Sequence, residues 1–287
     1  MHNLPHLAQR LFNTPLAIAP GKIEVIMAAI ADRFGLAKLF RLNGDVVPMA
    51  DIDISGEAEA PDTAYSIVQG VAIIPVQGTL VQKLGCLQPY SGMTGYDGIR
   101  ACFSMAINDP EVKAVAFDID SPGGEVSGCF DLVDAIYGAR GIKPIWAILS
   151  ETAASAAYAI ASACDYITVP RTGVTGSVGV ICAHVDFSKA LEKEGVTVTL
   201  ITYGARKGEG NEFTRLEGDA LKNIQRDIDM MGELFVNTVS RNRSMSAAKV
   251  KNTEAGTFRG REGVQIGFAD AVMAPDEAFS ALLEKLA

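Results

Sequence analysis

From Tyr65 onward, short apolar runs alternate with segments of helical periodicity. The runs at 71–76, 112–119 and 144–149 have the length of buried strands. Between them, apolar residues recur every three or four positions, as in helices that pack on one face of a sheet. Continuous apolar strands separated by helices predict an α/β fold, with a mostly parallel sheet flanked by helices on both faces.

The same alternation continues into the second half of the chain. The pattern predicts helices at 98–108, 126–137, 155–164 and 187–194, further strands at 166–169, 178–182 and 196–202, and a helical region from 216 to about 241.

The first 64 residues differ from this pattern. Residues 1–42 are predicted to form one or two short helices, because isoleucine and methionine recur at helical spacing between 23 and 30. Residues 43–64 are acidic and rich in Gly, Pro and Asp, which is typical of a linker. The predicted organisation is therefore a helical segment (1–42), a linker (43–64) and one domain (65–287).

Composition narrows the possible functions. The formal charge is -9 and the isoelectric point about 4.9, which argues against a nucleic-acid partner held by phosphate contacts. The most apolar N-terminal stretch is interrupted by Pro20 and by charged residues, so neither a membrane span nor a signal peptide is expected. Five cysteines without a C-x-x-C pair, and three scattered histidines, predict reduced thiols, no metal site and no cofactor.

The first candidate for chemistry is the Ser-Pro-Gly-Gly stretch at 121–124, which is expected to end a buried strand. Glycines let backbone N–H groups face outward beside a helix N-terminus, as an oxyanion hole requires. Gly123 is the predicted donor. A plain tight turn is the alternative explanation for this stretch taken alone.

Ser155 is the second candidate. It follows the strand at 144–149 and opens a helix made almost entirely of small residues, including Ala156, whose N–H would be a second oxyanion donor. A helix-capping serine is the common alternative.

Lys207 is the third candidate, in a loop that directly follows the apolar run at 196–202. A lysine amine that is removed from water is more readily neutral, and a neutral amine can accept a proton. An ordinary solvated lysine is the alternative. Between Ser155 and Lys207 lies a glycine-rich segment, 175–180, that contains Ser177.

Taken in order, these elements resemble the S49 family of serine peptidases, typified by signal peptide peptidase A, over residues 71–274. The resemblance implies a Clp-protease/crotonase-like fold and a Ser–Lys dyad. Ser155 would be the nucleophile, and Lys207, 52 residues further along in a G-x-x-K loop, the general base. Ser177 would contact the lysine amine. A ring-like homo-oligomer with active sites shared between neighbours is also implied.

An extended substrate is expected to add a strand beside Gly124, Glu125 and Val126. One departure concerns the residues after the nucleophile, because relatives often have Ser-Gly-Gly where this chain has Ser155-Ala156-Ala157. A helical alanine still offers its N–H, so the oxyanion role survives with a narrower pocket.

Two stretches, Asn-Leu-Pro-His at 3–6 and the segment at 87–96, resemble the capsid-assembly proteases of lambdoid phages, a branch of the same family. This implies portal, scaffold or capsid proteins as substrates, inside a procapsid in the host cytoplasm. Such relatives often continue into a scaffold-like C-terminal extension, whereas this sequence ends at Ala287.

Three alternatives remain open from the sequence. A Ser–His arrangement would need His184, which has no evident Asp partner. A crotonase-type acyl-CoA enzyme is possible because a fold does not assign chemistry. A non-proteolytic capsid-assembly module would not need both Ser155 and Lys207.

Overall fold

The computed structural model describes residues 14–20, 22, 65–84 and 92–287. The linker at 43–64 and almost all of the helical segment at 1–42 lie outside the described residues. The elements, in chain order, are β1 (Leu16–Ile18), β2 (Ser66–Val68), β3 (Val71–Val81), β4 (Met93–Gly95), α1 (Tyr96–Asn108), β5 (Ala114–Glu125), α2 (Cys129–Gly138), β6 (Ile145–Ala154), α3 (Ala156–Ser162), β7 (Tyr166–Val169), β8 (Val174–Gly176), α4 (Ser188–Lys193), α5 (Gly218–Arg243), α6 (Ala247–Lys251), β9 (Thr257–Arg259), α7 (Gly260–Ile266), β10 (Ala271–Val272) and α8 (Pro275–Leu286).

The described strands form one mostly parallel sheet. Its main path runs β10-β7-β6-β5-β3-β2, and all neighbours on this path are parallel except the β2–β3 hairpin. The short strand β8 pairs in parallel with the end of β6, and β1 pairs antiparallel with the end of β5. The predicted α/β fold with a mostly parallel sheet is confirmed.

Helices cover both faces of the sheet because successive strand residues point in opposite directions. On one face, Val115 and Phe117 of β5 pack into the main core with α1, α2, α3 and α5. On the other face, Ala114 and Ala116 join a smaller core that Leu282 of α8 closes. The strands are therefore buried on both sides, which accounts for their continuous apolar sequence.

Residues 16–18 form strand β1, which pairs with β5, whereas the positions between 23 and 30 that predicted helices lie outside the described residues. Two local predictions are wrong. The predicted strands at 178–182 and 196–202 are absent, since neither segment joins a ladder among the described residues. The strand in the first of these regions is β8 instead, a few residues earlier. In the region 196–202, Ile201 is almost fully exposed, and so is Tyr203 just after it.

The strand before the Ser-Pro-Gly-Gly stretch also ends later than expected. Strand β5 continues through Ser121 to Glu125, so the two glycines lie within the strand and not in a turn after it. A register shift between Ile119 and Ser121 accommodates this continuation.

Candidate active site

Ser155 lies at the junction between β6 and α3, on the C-terminal side of the parallel sheet. Its backbone has φ 57° and ψ -121°, a conformation that a residue with a side chain rarely adopts. The residue is fully buried, and its hydroxyl has no hydrogen-bond partner among the described residues. Strained backbone and unsatisfied buried polar atoms both concentrate at functional sites.

Strand β8 holds this junction in place. The N–H of Ser155 donates to the carbonyl of Gly176 at 2.8 Å, and the carbonyl of Ser155 accepts from Ala159 at 2.9 Å. The next residue along, Ser177, is also buried and also has a positive φ, 56°. The fold therefore brings the backbone of Ser177 close to the nucleophile candidate, and its expected contact with the Lys207 amine stays a prediction.

The glycine pair lies against the same junction. A Cβ built on Gly123, whose φ is +95°, would sit 2.9 Å from the carbonyl oxygen of Ala154 and 3.0 Å from the nitrogen of Ala156. On Gly124 it would sit 1.8 Å from the carbonyl oxygen of Leu80 in β3. Glycine is required at both positions because backbone approaches from both sides.

The N–H of Gly123 is not free in this structure. It donates to the hydroxyl of Ser121 at 3.1 Å, and that hydroxyl donates to the carbonyl of Gly78 at 2.7 Å. A role for Gly123 in holding an oxyanion therefore requires the bond to Ser121 to open. Sequence reasoning quoted Ser121 only as part of the glycine motif and missed this contact, because the partner strand supplies Gly78.

Glu125 and Val126 continue the same strand edge. The carboxylate of Glu125 accepts from the N–H of Gln82 at 2.7 Å, and its carbonyl accepts from the hydroxyl of Tyr96 at 2.7 Å. Burial raises the pKa of Tyr96 well above its usual range. These contacts anchor the strand edge where a substrate strand was expected, with the side chain of Glu125 directed into the protein.

Lys207 lies in a loop and is exposed, whereas Ser155 is buried. Because the Ser155 hydroxyl has no partner among the described residues, the fold of one chain does not join the two side chains by a hydrogen bond. The nearby carboxylate of Glu209 is engaged elsewhere, by Arg206 at 3.2 Å and by Asn223 at 3.0 and 3.1 Å.

His184 is half-buried, and by the same observation it does not hydrogen-bond to the hydroxyl of Ser155. Asp186, two residues further on, accepts from the N–H of Ser188 at 2.8 Å. The interaction with Ser188 is the main cause that lowers the pKa of Asp186. The structure thus adds no contact in favour of a Ser–His pair.

The buried thiol of Cys129 contacts the first residue of α3, next to Ser155. The Sγ of Cys129 contacts the carbonyl of Ala156 at 3.8 Å, and burial raises the pKa of this thiol to about 12. Such a thiol stays protonated and unreactive at neutral pH. Cys129 therefore supports α3 from within the core.

The described residues contain no group of three or more side chains that could hold a metal ion, and none of their helices is long and apolar enough to cross a membrane.

Comparison with known proteins adds to this geometry. The model of peptidase family S49 matches residues 139–287. This chain belongs to peptidase family S49. The matched region contains Ser155, Ser177 and Lys207, and the predicted enzyme class, a serine peptidase, is confirmed.

Three relatives show where the chain lies within the family. It is 38% identical to capsid assembly protease C of Escherichia phage lambda, over 100% of this chain and 67% of that protein. It is also 38% identical to the head-tail preconnector protein GP5 of Enterobacteria phage P21, over 99% of this chain and 58% of that protein. A putative signal peptide peptidase SppA of Enterococcus faecium is 30% identical over 61% of this chain and 51% of that protein. The predicted resemblance to phage members of the family is confirmed.

Proposed function

We propose that this S49 peptidase is an endopeptidase of phage head assembly. Ser155 is its nucleophile and Lys207 its general base. Its substrates are portal, scaffold or capsid proteins inside the procapsid. The substrate class is supported by similarity to the lambda protein over the whole of this chain and 67% of that protein, whose name states a role in capsid assembly.

The observation that carries the proposal is the state of Ser155. A hydroxyl with no partner among the described residues, on a backbone with φ 57°, is costly to bury. A helix-capping serine would accept a hydrogen bond from the first turn of its helix, and α3 begins without such a bond. Ser155 is therefore better explained as a nucleophile that waits for a base and a substrate.

The reaction would be acyl transfer. The neutral amine of Lys207 takes the proton from the Ser155 hydroxyl, and the oxygen attacks the peptide carbonyl carbon. The N–H groups of Ala156 and Gly123 hold the resulting oxyanion. Collapse of the intermediate breaks the C–N bond, and the leaving amine takes the proton from Lys207. Water, deprotonated by the same lysine, then attacks the acyl carbon. The bond between that carbon and the Ser155 oxygen breaks, and the serine oxygen takes the proton back from Lys207.

The dyad would be completed by a second copy of the chain. Lys207 is exposed, and the segment before it presents a row of exposed apolar side chains, namely Val196, Val198, Leu200, Ile201 and Tyr203. An exposed apolar row of this kind is typical of a protein interface. Packed against a neighbour, it would remove the loop from water and bring Lys207 to that neighbour's Ser155.

Mixed assemblies test the proposal. Ser155→Ala and Lys207→Ala should each fold and each fail to cleave a phage portal protein. Subunits of the two variants, unfolded and reassembled together, should regain about a quarter of the wild-type rate, because random mixing places an intact serine beside an intact lysine at that share of interfaces. The control is a matched mixture of Ser155→Ala with Lys193→Ala, another exposed lysine. This mixture should lose only the sites whose serine is replaced, because all of its subunits keep Lys207.

Two results would contradict the proposal. Cleavage by purified Ser155→Ala would remove the nucleophile assignment. Inactive mixtures that mass spectrometry shows to contain both variants would contradict the sharing of the site between copies. The family match favours a peptidase over an acyl-CoA enzyme, and no contact of the described residues specifically favours a non-proteolytic assembly role.

A further inference from the structure

Residues 14–20, here the 14–20 segment, lie along the strand edge where substrate was expected. Strand β1 runs antiparallel to the end of β5, with Leu16 opposite Glu125, Ala17 opposite Gly124 and Ile18 opposite Gly123. Two of the three residues proposed to bind substrate therefore already have a strand partner from the same chain.

The segment is held by backbone hydrogen bonds on both sides. The N–H of Ala19 donates to the carbonyl of Pro122 at 2.8 Å. On the opposite side, Leu16 and Ile181 exchange two bonds, of 2.8 and 2.9 Å. The segment thus makes main-chain bonds to β5 on one side and to Ile181 on the other, and main-chain bonding of this kind is how extended peptides are recognised by strand addition.

The segment also comes close to the proposed oxyanion site. A Cβ built on Gly123 would lie 2.3 Å from the carbonyl oxygen of Ala17 and 3.0 Å from the nitrogen of Ala156, so these two atoms flank the same space. Ala17 and Ser155 are both fully buried. The carbonyl of Ala17 thus lies beside the N–H that the proposed mechanism uses, and the side chain of Ser155 has no access to solvent.

We propose that the 14–20 segment is a tethered occupant of the substrate groove, which keeps Ser155 covered until another strand displaces it. The inference rests on the proposed function for the role of Ser155. Tethering gives the segment a high effective concentration, so only a strand held at comparable concentration competes with it. Substrates packed inside an assembling shell meet that condition, whereas free peptides in dilute solution displace the segment less effectively.

The register also indicates what a displacing strand must look like. Ala17 is fully buried opposite Gly124, so this position accepts a small side chain. Its neighbours Leu16 and Ile18 are nearly as buried, so aliphatic side chains fit on either side. The groove is therefore expected to take extended, aliphatic segments with a small residue beside the nucleophile.

Two variants weaken the binding of the 14–20 segment to the groove in different ways. Ala17→Arg places a guanidinium where no space exists, and Leu16→Pro deletes the N–H that donates to Ile181. Pro20→Arg is the matched control, because it adds the same charge to the same segment at an exposed position.

Two measurements follow. Covalent labelling of Ser155 by a fluorophosphonate, monitored by intact mass, should be about tenfold faster in Ala17→Arg and Leu16→Pro than in wild type, since each loses interactions worth at least one or two hydrogen bonds. The second measurement is hydrogen exchange of the Ile181 amide, in a Ser155→Ala background. This amide should exchange slowly when the 14–20 segment is unaltered and faster in both variants. Pro20→Arg should match the unaltered segment in both measurements.

The outcomes separate the two proposals. If the Ile181 amide exchanges equally fast in the unaltered protein and in both variants, the inference is overturned, because the segment then does not pair with it. Accelerated exchange with unchanged labelling also overturns it, because the segment then does not cover Ser155. Accelerated exchange with no labelling of any protein keeps the occupied groove and contradicts the proposed nucleophile.

Discussion

The hydroxyl of Ser121 accepts a hydrogen bond from the N–H of Gly123, at 3.1 Å, two residues further along the same strand. The same hydroxyl donates to the carbonyl of Gly78 in the neighbouring strand. Ser121 is fully buried, so it holds both groups away from water. The N–H proposed to serve the oxyanion is thus satisfied in this structure by the hydroxyl of Ser121.

Replacing Ser121 tests this arrangement. In Ser121→Ala, Gly78 loses a donor and Gly123 loses an acceptor inside the protein, so the free energy of unfolding should fall by about 1–3 kcal/mol. The rate kcat/KM per folded molecule should be maintained, because the N–H of Gly123 is then open to the oxyanion. Urea denaturation and peptide cleavage measure the two effects. A large loss of kcat/KM with full stability would show that Ser121 itself takes part in the reaction.

Gly123→Ala should reduce cleavage strongly. Its new Cβ would sit 2.3 Å from the carbonyl oxygen of Ala17 and 3.0 Å from the nitrogen of Ala156, so the backbone around the proposed oxyanion site must shift. The cleavage rate is therefore compared per folded molecule. Loss of one oxyanion donor costs on the order of 100- to 1,000-fold in kcat. Gly141→Ala is the matched control, since Gly141 also has a positive φ, +85°, but no atom within 4 Å of its Cβ position. Equal cleavage rates in the two variants would contradict the oxyanion assignment.

Gly124→Ala should instead destabilise the fold. Its Cβ would lie 1.8 Å from the carbonyl oxygen of Leu80, so β3 and β5 must separate. Overpacking of this kind costs about 1–3 kcal/mol, and the close approach of the Leu80 backbone places this position at the upper end or above. Gly138→Ala, which has nothing within 4 Å, should be neutral. Thermal unfolding of the two variants distinguishes these effects, and equal midpoints would contradict the close approach.

Lys207→Arg should be as inactive as Lys207→Ala, although it preserves the charge. A guanidinium remains protonated under all working conditions and cannot take the proton from Ser155. The neighbouring Arg206→Ala should retain cleavage, because the side chain of Arg206 pairs with Glu209. Cleavage assays on the three folded variants give the comparison. An active Lys207→Arg enzyme would exclude the Ser–Lys dyad and direct attention to His184.

Cys129 should make the protein sensitive to alkali. Its pKa is raised to about 12 by burial, whereas an unfolded thiol titrates near ~8.5. The unfolded state therefore loses the proton first, and the stability from this group, complete below ~8.5, is lost as the pH rises toward 12. Urea denaturation at successive pH values should show a shallower alkaline decline in Cys129→Ala than in wild type. Parallel declines would contradict this burial effect.

Much of the fold could be predicted from the sequence. Strand β7 was predicted with its observed bounds, and the beginnings of β3, β5 and β6 were predicted closely, because burial on both faces leaves a continuous apolar run that is visible without a structure. All three strands continue beyond the predicted ends. Ser155 and Ser177 were singled out in another way. The order and spacing of segments rich in small residues resemble the S49 family, and the roles of both serines remain predictions.

What only the tertiary structure decided are the relationships between distant segments. Leu16 reads as part of an apolar helical stretch, and nothing local to it shows that its backbone pairs with Ile181 and that its strand lies on Gly123 and Gly124. The segment at 196–202 has the alternation of a strand but no ladder partner among the described residues. Strand pairing is a contact between residues far apart in sequence, so its outcome depends on which edges the rest of the fold leaves open.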